Sequence, residues 1–203
     1  MEFKYRIRQH LKDNSLQYML VLGIFIFGLM LGFLNVKGLD NEVQQYLLKL
    51  LDDYLRGGLE GELLGRNILA AAFIKQAETL LSVWLLGLTV IGLPLIMVVI
   101  FLRAFSLGFT LGFLIQQKAG TGVLVSLVSV LPQNLFYILG LLIAGVVAMN
   151  FSLNIVKNRN QGTNKLGLAL LAYTTVMLLL LVVFGLGALI EAYFSPWLLG
   201  CLG

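Results

Sequence analysis

His10 and Cys201 are the chain's sole histidine and sole thiol, and they stand at opposite ends of 203 residues. A nucleophile needs a base within hydrogen-bond reach, and a catalytic or structural metal needs three or four ligands around one point. Neither can be built from that pair. The carboxylates are just as unevenly spread. Between Glu78 and Glu191 there is no Asp, Glu or His, and the charges are Arg103, Lys118, Lys157, Arg159 and Lys165. Acid–base pairs, divalent-cation cages and triads all need groups that this stretch lacks, and no phosphate-binding Walker loop occurs anywhere. The expectation is a non-enzyme with no catalytic residue, no metal and no cofactor.

Two polar features interrupt the apolar stretch. Arg103 stands alone between Glu78 and Lys118. A membrane-buried arginine marks function, whereas one at a turn between spans marks the cytoplasmic side and reaches the headgroups. Its place in the hydropathy pattern favours the turn. Pro132-Gln133-Asn134 falls well inside an apolar run. There proline would free an upstream carbonyl that the two amides could satisfy, giving either a self-contained kink or a broken helix at a polar site. Gly92-Leu93-Pro94 adds a second break.

Such residues must be positioned by membrane helices. With 59% hydrophobic residues, 12% charged and a mean hydropathy of +0.94, the chain falls in the polytopic membrane class. The apolar runs have no polar face, so water cannot be their solvent. The reading is an all-α polytopic membrane protein forming a single membrane domain. It has a basic N-terminus at 1–15, spans at 16–34, 79–102, 104–117, 123–153 and 166–190, a loop at 154–165 and a tail at 191–203. The third span is short for a ~30 Å hydrocarbon core, so a re-entrant hairpin over 104–131 is the alternative. The basic N-terminus and the basic 154–165 loop put both on the cytoplasmic side. The net charge of +4 is explained by these span flanks, and no nucleic-acid partner is expected.

Residues 35–78 form the one long polar excursion, placed outside. Leu39, Val43, Tyr46, Leu47, Leu50, Leu51, Tyr54 and Leu55 recur at helical spacing and make one apolar stripe opposite Asp40, Glu42, Lys49, Asp52, Asp53 and Arg56. The helix cannot span, so the stripe lies in the lipid interface, caps the bundle or docks a partner. Gly57, Gly58, Gly61 and Gly65 then allow a turn into a second helix at 66–78, completing an extracytoplasmic hairpin. Two near-copies, Gly28-Leu-Met-Leu-Gly32 and Gly108-Phe-Thr-Leu-Gly112, are GxxxG segments that let another backbone approach closely. Packing within the chain is preferred, with a homodimer as the alternative.

The order of these features resembles the stage II sporulation protein M family over nearly the whole chain. A basic N-terminus leads to one span, an outside hairpin and Gly92-Leu93-Pro94. Arg103-Ala-Phe-Ser-Leu-Gly108-Phe-Thr-Leu-Gly112 and Leu131-Pro132-Gln133-Asn134 follow. Many family members outside spore formers carry Pro-His-Gly with a following Glu where this chain has Pro132-Gln133-Asn134 and an apolar Phe136-Tyr137. That departure removes ionisable groups from the site. The resemblance implies a role in engulfment at the sporulation septum of an endospore-forming bacterium. It also implies two peptidoglycan-degrading partners, stage II sporulation proteins D and P, beside the membrane lipid. Two functions follow as expectations. One is a non-enzymatic scaffold that presents Val43, Tyr46, Leu47, Leu50 and Tyr54 to those hydrolases. The other is a transporter or channel-like subunit with a pathway near Arg103 and Pro132 to Asn134.

Overall fold

A computed structural model describes residues 9, 12–57, 62–117, 130–157, 163–195 and 197, with side chains described except at 51–57, 62–67, 117, 157 and 163–165. Every element among them is helical. In chain order they are α1 (Ser15–Asn35), α2 (Asn41–Gly57), α3 (Glu62–Gly87), α4 (Gly92–Gln117), α5 (Leu131–Lys157) and α6 (Thr163–Leu189). A short 3-10 turn, Val36–Gly38, follows α1, and a π-helical turn, Ile190–Phe194, continues α6. Five stretches are long and apolar enough to cross a bilayer: Ser15–Gly38, Ile68–Gly87, Gly92–Gln116, Leu131–Val156 and Leu166–Phe194. The chain is therefore a multi-pass helical membrane protein.

The spans alternate in direction. Residues 28 and 32 of α1 meet 101 and 105 of α4, so these two run parallel. Tyr137 of α5 packs on Gly187, and Phe184 packs on Gly140, so α5 and α6 are antiparallel. Val83, Ile96, Ile100, Ala144 and Val146 are completely buried at the centre. Met19, Phe27, Leu85, Val98, Leu139, Leu178 and Val182 are exposed, as a lipid-facing surface requires.

Three expected boundaries are corrected. Span two is Ile68–Gly87 rather than 79–102, and span three is Gly92–Gln116 rather than 104–117. The turn between them lies at residues 88–91, where Thr89 N–H donates to the Leu86 carbonyl and Gly92 N–H to the Thr89 carbonyl. That turn carries no charge, so hydropathy runs through it unbroken, while the lone charge 12 residues later looks like a boundary. Gly92-Leu93-Pro94 is thus a helix start, where proline's missing N–H costs nothing because first-turn donors have no intrahelical partner. A Cβ at Gly92 would collide with the Leu86 carbonyl oxygen. The third span is full length, which removes the ground for a re-entrant hairpin over 104–131.

Span four is corrected likewise. Helix α5 begins at Leu131, so Pro132 sits in its first turn and makes no mid-helix kink. Residues 123–129, the Lys118–Gly122 turn, residues 158–162 of the expected 154–165 loop, Lys4, Arg6, Arg8 and His10, Gly58, Gly61 and Cys201 lie outside the described residues. Residues 154–157 and 163–165 belong to α5 and α6. Helix α2 forms as the apolar stripe predicts, its first-turn Gln44 N–H donating to the Asp40 carbonyl. The expected second leg at 66–78 is the beginning of α3, continuous with span two. Lys75, Gln76 and Glu78 made that half of the span look like an outside segment.

Candidate functional site: a polar cavity within the spans

Arg103 lies in the interior of α4, not at a turn. At ~1.5 Å per residue it stands roughly 17 Å from the start of the helix and roughly 21 Å from its end. Its Nη2 donates to Gln76 Oε1 at 2.5 Å and to Thr79 Oγ1 at 2.9 Å, both on α3. Gln76 is only 7% exposed, because it turns inward to meet the guanidinium. This α3 pairing is the feature that sequence reading missed. Its signal was present in Gln76 and Thr79 falling three residues apart on one helix face.

Arg103 forms part of a cavity of about 430 Å³ bounded by α1, α3, α4, α5 and the end of α6. Ser106 and Thr110 lie above it on α4, Lys75 on α3, and Gln133, Asn134 and Tyr137 on α5. Arg103, Gln133 and Asn134 were grouped from sequence, and the structure brings them to one cavity. The amides are held, not loose. Asn134 Nδ2 donates to the Val130 carbonyl at 2.7 Å, and buried Ser195 donates from Oγ to Gln133 Oε1 at 3.0 Å.

Glu191, expected in an outside tail, belongs to this cavity too. It sits in the π-helical turn, a local widening that often accompanies functional sites, and its Oε2 accepts from the Tyr137 hydroxyl at 2.8 Å. Tyr137 is fixed from below by an edge-on contact with Phe184, their centroids 5.8 Å apart. The remaining walls are apolar and include Phe25, Phe113, Leu114 and Leu141. Toward the α3–α4 turn, Val83, Ile96 and Ile100 are fully buried in the bundle core. Among the described residues, no three His, Cys, Asp or Glu side chains cluster as a metal site.

The GxxxG segments lie against each other. A Cβ at Gly28 would stand 2.8 Å from the Phe101 carbonyl oxygen, and one at Gly32 would overlap the Phe105 carbonyl. A Cβ at Gly108 would overlap the Leu29 carbonyl, and one at Gly112 would stand 2.9 Å from the Phe33 carbonyl oxygen. Helices α1 and α4 are consequently the most extensively packed pair among the described elements, and their glycine faces are covered by each other.

The expected docking residues are placed unevenly. Val43, Tyr46 and Leu50 are exposed on α2, Tyr46 by 64%. Leu47 is half-buried and turns to the mouth of the cavity. The Tyr54 side chain lies outside the described residues. Helix α2 makes almost no contact with the other described elements.

Neither a curated protein nor a solved structure matches this chain. A family model does: stage II sporulation protein M, over residues 21–196, which takes in most of span one, the other four spans, α2 and every residue of the cavity. The chain belongs to the stage II sporulation protein M family.

Proposed function

We propose that this sporulation-related membrane protein is a non-enzymatic scaffold that holds peptidoglycan hydrolases at the engulfing membrane. One observation carries the reading. Helix α2 stands outside the spans with Val43, Tyr46 and Leu50 exposed and almost nothing packed on them. A monomer that buries this stripe on its own bundle would show these three side chains covered, whereas Leu47 alone among the described side chains of the helix lines the cavity. An uncovered apolar face rimmed by charge is the pattern of a protein- or membrane-interaction site. The basic span flanks in the sequence favour a wall-side position for α2, where hydrolases act. By family resemblance the partners are stage II sporulation proteins D and P.

The test is affinity purification of the full chain from detergent-solubilised sporulating cells. Recovery of wall hydrolases supports the scaffold, and their consistent absence removes it. The transport reading gains a polar cavity, but among the described residues Val83, Ile96 and Ile100, toward the α3–α4 turn, are fully buried. That shape suits binding better than passage.

A further inference from the structure

The cavity poses a charge problem that the scaffold role leaves open. Arg103 meets only neutral acceptors, Gln76 and Thr79, both through Nη2. Among the described residues its Nη1 and Nε make no hydrogen bond. Glu191, which accepts from the neutral Tyr137 hydroxyl and attracts Arg103 through space, offers one negative charge against the two positive charges of Arg103 and Lys75. A net cation within the spans is costly unless an anion joins it. A guanidinium with spare donors matches the oxygens of a phosphate, and Lys75 supplies a second point charge.

The walls narrow the class further. Phe25, Phe109, Phe113, Leu114 and Leu141 give the cavity an apolar body that a small hydrated anion would not need. Its rim includes Lys75, Ser106 and Thr110, side chains that are exposed yet lie within the spans of α3 and α4, not beyond their ends. Among the described residues the opening therefore gives on the bilayer. We propose that this cavity binds the phosphate head group of an anionic membrane lipid, with Arg103 and Lys75 on the phosphate and the aromatic walls against the first part of the acyl region. The site is independent of α2 docking a hydrolase.

The test uses the full chain in a non-ionic maltoside detergent. Its thermal midpoint is followed during titration with dihexanoyl-phosphatidylglycerol, the zwitterionic dihexanoyl-phosphatidylcholine, or inorganic phosphate. The anionic lipid is expected to bind at least about tenfold more tightly than the zwitterionic one. Arg103→Gln is expected to lose about that factor, and Arg103→Lys to keep most of it. If Arg103→Gln fails to fold, Lys75→Gln carries the comparison with the same expected direction. Equal binding of the two lipids, or unchanged binding in the folded charge-removing variant, overturns the proposal. Inorganic phosphate reproducing the whole effect also overturns it, since the ligand would then be a free anion.

Discussion

A guanidinium at the centre of a span costs about 2.5–3.5 kcal/mol on insertion scales, and Arg103 sits at such a depth. Hydrogen bonds to a charged group recover about 1.5–3 kcal/mol each when desolvated, and Gln76 and Thr79 provide two. Gln76→Leu should therefore destabilise the folded chain by about 1.5–3 kcal/mol, read as a lower midpoint in detergent unfolding. The double variant Gln76→Leu with Arg103→Leu should recover much of the loss, because no charge is left unpartnered. A single-variant effect within 0.5 kcal/mol of wild type would show that the pair bears no weight. Sequence alone marked Arg103, Gln133 and Asn134 as unusual, since polar groups stand out in an apolar run. It could not show Gln76 as their neighbour, because a glutamine among Lys75 and Glu78 looks like solvated surface until α3 is seen to turn it inward.

Glycine spacing was the more legible signal at the level of helices. Two GxxxG segments in different spans imply a close backbone approach, and α1 and α4 supply it to each other. A side chain added there must move a backbone, not a flexible side-chain tip. Gly32→Leu and Gly108→Leu should each cost upward of about 1–3 kcal/mol through overpacking. Gly23→Leu, where nothing lies within 4 Å of an added Cβ, serves as the control and should stay within about 0.5 kcal/mol. Equal effects at all three positions would contradict the packing. Span boundaries were less legible, and residues 88–91 show why. A turn made of Leu, Thr, Val and Ile is as apolar as the helices it joins, and only Gly92 and Pro94 mark it. Single cysteines in a Cys201→Ala background locate it. Thr89→Cys should react with an impermeant thiol reagent only from the cytoplasmic side, and Tyr46→Cys only from the outside. Arg103→Cys should resist labelling from both sides, and its ready labelling would restore the turn to that position.

The whole molecule divides into a membrane body and one uncovered helix. The body packs its glycines, buries aliphatic side chains such as Val83, Ile96 and Ile100 completely, and gathers polar groups around Arg103 in mid-span. Helix α2 is joined to it by a short turn after α1 and touches the cavity through Leu47, with Val43, Tyr46 and Leu50 exposed. A charge placed on an interface anchor costs several kcal/mol of binding while leaving a solvent-exposed helix folded. The most direct measurement is quantitative co-purification of wall hydrolases with the full chain from sporulating cells, comparing wild type with Tyr46→Asp at equal membrane abundance. The account predicts abundant hydrolase with the wild type and a loss of at least about tenfold with Tyr46→Asp. Equal hydrolase recovery from both would contradict α2 as the surface through which this protein works.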